Sequence, residues 1–219
     1  MKVSRSTIID LPPEVVWSEV QTARILIHIA WPLMRFVPVG DEPLENFKSG
    51  GRYLVKLRLF GMLPFGKQWI VTSVHDPKTG EWPKQLRDNG SSAIIKKWDH
   101  WITISPNAEG GTRYSDDVEV SAGIMTPVIW ALAWVFYWHR QKRWRGLAQT
   151  LRARQLIAEE MAVFEHAKDS GNSADSWRAL ERAHIVSQLY LGPHLASHWA
   201  MLRFAVNERN TKEVVGQIF

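Results

Sequence analysis

The chain has 219 residues, enough for one large domain or two small ones, with 45% hydrophobic and 22% charged residues as in ordinary folded proteins. It contains no cysteine, which excludes disulfides, thiolate metal sites and cysteine nucleophiles and fits an expected cytoplasmic location. The net charge is +5 and 12 residues are Trp, a composition that points to apolar contact rather than to a reaction.

The N-terminal residues lack an apolar h-region, so no signal peptide is expected. Val3, Arg5, Thr7 and Ile9 alternate with Ser4, Ser6 and Ile8, which predicts a strand. Pro12 and Pro13 suit the first turn of a helix through Val20, and a second short helix is expected from about Thr22 to Met34, ending near Pro32. "RFVPVG" reads as a short strand and "GDEPLENFKSGG" as a loop.

Five further strands are predicted. In "GRYLVKLRLF", Tyr53, Val55, Leu57 and Leu59 share one face, and Arg52, Lys56 and Arg58 the other. "GKQWIVTSVHD" follows a turn expected at Leu63 to Gly66. "DPKTG" is a turn, and "EWPKQLRDNG" a weaker strand. "IIKKWDHWITIS" and "TRYSDDVEV" flank the hairpin loop "PNAEGG". This alternation is what a curved antiparallel sheet with one buried face requires.

From Thr126 onward the pattern is helical. Residues 123 to 138, "GIMTPVIWALAWVFYW", form the longest apolar run; it is shorter than the roughly 20 residues needed to span a bilayer and contains Pro127. A helix apolar nearly all round from Val128 to Trp138 is expected to be covered on most sides. Val120 to Ala158 lacks acidic residues, while Arg140, Lys142, Arg143, Arg145, Arg152 and Arg154 are basic. This stripe reads as a solvated helix face. With the Trp residues it also fits peripheral membrane contact, and no motif for specific nucleic-acid binding accompanies it. The helix is expected to run toward Lys168. After "DSGNSADS", with Ser173 or Asp175 as cap, come a helix closed by Gly192-Pro193, another helix, and a short last helix in "NERNTKEVVGQIF".

"STIIDLPPEVVWSEV", "FKSGGRYLVKLRLFG" and "TPVIWALAWVFYWHRQKRWRGL", in the order strand, two helices, antiparallel strands and long helix, resemble the Bet v 1-like, START-related (SRPBCC, polyketide cyclase-like) superfamily. The resemblance covers residues 1–151. It implies an α+β helix-grip fold, a curved antiparallel sheet around a long C-terminal helix, with an apolar cavity for a lipid or other hydrophobic small molecule. The expected lining is Tyr53, Val55, Leu57, Trp69, Trp98, Ile102, Tyr114, Val118, Trp130 and Trp134. With the hairpin turn at Asn107 to Gly111, Trp98, His100, Ile102 and Ile104 share a face with Tyr114, Asp116, Val118 and Val120. His100 and Asp116 then become diagonal neighbours, a candidate acid–base pair or a structural one.

Residues 152–219, a small all-α region, resemble a helical bacterial domain of unknown function through "LERAHIVSQ", His194 and "HWAML". Glu181, His184 and Gln188 lie on one helix face, and His194 and His198 on a face of the next. Glu-x-x-His is the ligand element of helical-bundle metal sites, with Glu160 available from the helix before. Imidazole with carboxylate suits a transition metal such as Zn, Fe or Mn. An interhelical polar network of the same residues is the alternative.

The leading functional expectation is binding of a hydrophobic small molecule, with the helical region holding a metal or mediating homo-oligomer formation. The alternatives are an enzyme acting through the metal or the His100–Asp116 pair, and a peripheral lipid-handling protein.

Overall fold

A computed structural model describes residues 1–40, 44–78 and 80–216. Residues 41–43 of the expected loop, Thr79 of the expected turn and the last residues, 217–219, lie outside the described residues. The chain divides into two compact units, Met1–Ala148 and Gln149–Phe219.

In the first unit β1 (Lys2–Ile9) is followed by α1 (Pro13–Val20) and α2 (Ala23–Ala30). Then come β2 (Met34–Pro38), β3 (Arg52–Leu59), β4 (Leu63–His75), β5 (Lys84–Ser92), β6 (Lys97–Pro106) and β7 (Thr112–Ser121). The strands form one curved antiparallel sheet in the order β1-β7-β6-β5-β4-β3-β2. Pro13 stands at the start of α1, where its missing N–H has no carbonyl to serve. Thr22 caps α2 by accepting the Ile25 N–H. The long helix α3 (Thr126–Asp169) follows the last strand, completing a helix-grip fold.

Every fourth residue of α3 is buried, from Ile129 through Ala133 and Tyr137 to Gln141, with Arg140, Trp144 and Ala148 on the same stripe. The Ile129, Ala133 and Tyr137 side chains pack with Val3, Val118 and Val120 of β1 and β7. The expectation of a helix covered on most sides is corrected: Val128, Leu132, Trp134, Val135 and Trp138 are each more than 40% exposed. A single sheet can cover only one side of a helix.

Another local expectation changes. Leu63 to Gly66 belong to β4, and the preceding turn is made by Phe60 and Gly61, both at positive φ (50° and 74°). The β4–β5 ladder is broken between Trp69↔Ser91 and Thr72↔Asp88, where the Val71 N–H donates instead to the Asp88 side chain at 2.9 Å. Gly90 permits the close approach there; a Cβ on it would lie 2.2 Å from the Trp69 carbonyl oxygen.

The second unit contains α4 (Ser173–Ser187), α5 (Leu191–Asn207) and α6 (Thr211–Gly216). Phe164, Leu180, Met201 and Phe204 form its core, with the Phe164 and Phe204 rings edge to face at 5.3 Å. The α4 cap is Asn172 rather than Ser173 or Asp175, because its side chain accepts the Asp175 N–H. Gly192 and Pro193 lie in the first turn of α5, where proline costs no hydrogen bond, rather than closing α4.

Candidate functional site

A cavity of about 200 Å³ lies between the inner sheet face and α3. Val20, Ile25, Phe47, Leu57, Ile70, Leu86, Ile102, Ile129 and Phe136 make most of its wall apolar. Gln68, Thr72, Asp88, His100 and Arg140 bring polar groups to it. An apolar space with a few polar groups is the usual form of a small-molecule site.

Of the residues expected to line it, Leu57, Trp98 and Ile102 do so. Val55, Tyr114 and Val118 are buried but do not line it. Tyr53 packs against Phe47 and its hydroxyl is occupied by the Asn46 carbonyl and the Lys48 N–H. Three Trp expectations are corrected. Trp69 turns outward under Arg52, because the even residues Gln68, Ile70 and Thr72 occupy the inner face of β4. Trp130 donates its indole N–H to the Lys2 carbonyl at 2.7 Å. Trp134 is 46% exposed, with Arg5 stacked 4.7 Å from its ring.

The β6–β7 hairpin pairs His100 with Val118 and Ile102 with Asp116, which makes His100 and Asp116 diagonal neighbours. His100 Nε2 lies 2.9 Å from Asp116 Oδ1, and both residues are buried. Tyr114 donates to the same oxygen at 3.1 Å, and Gln141 Nε2 donates to Asp116 Oδ2 at 3.1 Å. Arg140 Nη2 donates to the Tyr114 hydroxyl at 2.8 Å and lies 3.8 Å from Asp116 Oδ1. Arg140 therefore departs from the expected solvated stripe: it is 5% exposed, and its Nε has no partner among the described residues.

Burial raises the Asp116 carboxyl, but Arg140 and the His100 hydrogen bond outweigh it and hold the group below its ordinary value. Asp116 is thus ionised. Burial lowers the His100 imidazole against the opposing pull of Asp116, so His100 is neutral. A carboxylate can only accept, so His100 Nε2 carries the proton and Nδ1 keeps the lone pair, the proton-accepting position of the pair. Burial pushes Asp88 up to about 7, against the Val71 N–H and Arg140.

Neither Asp88 nor Arg140 is among the candidate site residues that the sequence offers. Asp88 follows Leu86 by two residues, so alternation places both on the inner face, and it pairs with His100 across β5 and β6. That alternation is present in the sequence, within a strand otherwise weak by composition. Arg140 is three residues after Tyr137 and four before Trp144 on one helical face, but only the sheet shows which face is covered.

In the second unit His184 of α4 and His194 and His198 of α5 converge. One ligand atom from each lies within 4.8 Å of the others, and the ring centroids are 4.5–4.8 Å apart. Ser197 donates to the His194 carbonyl at 2.7 Å, and its oxygen lies 3.1 Å from His184 Nδ1. With its own proton so used, Ser197 accepts from His184 Nδ1–H, which leaves Nε2 as the donor atom toward a metal. Burial, then His198 and His194, lower the His184 imidazole and favour the neutral ligand form. His194 Nδ1 is buried without a hydrogen-bond partner among the described residues. Three imidazoles on two helices suit a borderline transition metal at about 2.0–2.1 Å from each nitrogen.

The carboxylates stand apart from this cluster, which corrects the expected five-residue set. Glu160 pairs with Arg182 at 2.9 Å, and Glu181 is exposed outside the cluster. The neighbouring Arg182 offers Glu160 a guanidinium as its charge partner.

Among the described residues, no helix is long and apolar enough to cross a membrane. Residues 7–149 match a family described as a domain of unknown function (DUF8410), and residues 151–219 match one described as a protein of unknown function (DUF3703). No curated protein matches the chain. Among solved structures, it is similar to a hypothetical protein of Helicobacter pylori at 11% identity, covering 68% of this chain and 88% of that one with a TM-score of 0.53. It is also similar to a START superfamily protein of Mycobacterium smegmatis (18% identity, 68% and 98% covered, TM-score 0.45). A protein of Chromobacterium violaceum gives 16% identity, 67% and 96% covered, and a TM-score of 0.49. The likeness at these identities is one of fold. Since the first family match spans more than half of the chain, the protein belongs to the DUF8410 family, and the residues that follow its helix-grip domain match the DUF3703 model.

Proposed function

We propose that the helix-grip unit binds a hydrophobic small molecule between its sheet and α3. The observation that carries this reading is the cavity itself, about 200 Å³ with a mainly aliphatic and aromatic wall and a few polar groups. Titration with the neutral fluorescent probe Nile red tests it. Saturable binding that is weakened by Phe136→Trp, which fills the space, supports the reading; no saturable binding removes it.

A second reading concerns the second unit, which we propose holds a transition metal such as Zn on His184, His194 and His198. It rests on the convergence of the three imidazoles and on the Ser197 bond that orients His184. Metal analysis of protein equilibrated with Zn and then dialysed is expected to give one metal per chain. A stoichiometry near zero counts against it.

A further inference from the structure

We propose that the ligand of the helix-grip cavity carries a neutral carbonyl oxygen, which docks on Arg140. This rests on the cavity-binding reading and names the chemical class of the molecule bound.

The argument begins with unused hydrogen-bonding capacity. A guanidinium has five N–H donors. Among the described residues Arg140 donates one hydrogen bond, to Tyr114, and its buried Nε is unpartnered. A guanidinium with most of its donors unused is costly away from water, so a cavity-lining Arg in this state favours a ligand that brings an oxygen. The charge balance then selects the kind of oxygen. Asp116 already stands 3.8 Å from the Arg140 guanidinium and opposes its charge. A second carboxylate from a ligand would leave the buried site with net negative charge. A carbonyl oxygen adds two acceptor lone pairs and no charge. Asp88, also on the cavity wall, supports the same choice: burial pushes its carboxyl up to about 7, so below that pH it keeps a proton and supplies an O–H donor. His100, with its Nδ1 lone pair, offers no donor to compete.

The test uses the full chain and displacement of bound Nile red. The competitors are a ten-carbon methyl ketone, the hydrocarbon of the same shape with a methylene in place of the oxygen, and the fatty acid of the same length. The ketone is expected to compete about tenfold better than the hydrocarbon, the scale of one hydrogen bond to a charged group, and better than the acid. Arg140→Lys, which keeps the charge opposite Asp116 but removes the guanidinium fork, is expected to reduce that preference. If this variant does not fold, the wild-type protein still decides the matter through the infrared carbonyl band of the bound ¹³C-labelled ketone. That band is expected to lie below its position in hexane. Nile red binding with equal competition by ketone and hydrocarbon, with preference for the acid, or with a ketone band at its hexane position, overturns the carbonyl assignment while leaving the cavity reading intact. Failure of Nile red to bind overturns both.

Discussion

Asp88→Asn is expected to stabilise the helix-grip unit at neutral and alkaline pH. The carboxyl lines the cavity and accepts the Val71 N–H at 2.9 Å. An Asn side-chain oxygen can keep that bond while removing the charge that burial opposes. In the folded chain the carboxyl titrates near 7, against an ordinary value of 3.8. Between those values the folded state retains a proton that the unfolded state has released, so stability falls as pH rises from about 4 to about 7 and is level above that. About 3 pH units at about 1.4 kcal/mol each give an upper limit of about 4 kcal/mol. Cavity solvation reduces it, and a gain of about 2–4 kcal/mol at pH 8 is the expectation. Urea unfolding of wild type and variant, followed by tryptophan fluorescence at pH 4 and pH 8, measures it. The two proteins should differ little at the lower pH, and taking their difference cancels the other titrating groups. A variant less stable than wild type at pH 8, or a difference independent of pH, refutes a charge-averse Asp88 on the cavity wall.

His184→Ala and His198→Ala are each expected to abolish stoichiometric metal while leaving the circular dichroism of the sheet unchanged; metal content by mass spectrometry reads this out. Trp98→Ala should widen the cavity and shift competition with Nile red toward bulkier ligands, whereas Trp134→Ala, on the outward face of α3, should leave binding within about twofold. Gly90→Ala places a Cβ 2.2 Å from the Trp69 carbonyl oxygen and should lower stability by about 2 kcal/mol or more in thermal unfolding.

Local periodicity carries much of the architecture. The alternation of β6 and β7, with glycines in the loop between them, is sufficient to align His100 and Asp116, because strand geometry repeats every two residues. The spacing of four between His194 and His198 places both on one side of α5, because a helix turns every 3.6 residues. Such relations lie within one element or one hairpin and need no knowledge of the remainder of the chain.

The covering of each face was decided by distant partners. The Trp-rich run reads as apolar all round, and only the sheet determines that Ile129, Ala133 and Tyr137 are buried while Trp134 and Trp138 are not. The same sheet encloses Arg140, one of a run of bases that composition assigns to solvent, and sets it beside Tyr114 and Asp116. In the second unit, helical spacing offers Glu160 and Glu181 as ligands as readily as the histidines. Arg182 engages Glu160 in an ion pair, and the packing of α4 against α5 brings the three imidazoles together. A sequence specifies which side chains share a face, because that depends on bond geometry; what the face meets depends on the free energy of contacts between residues far apart along the chain.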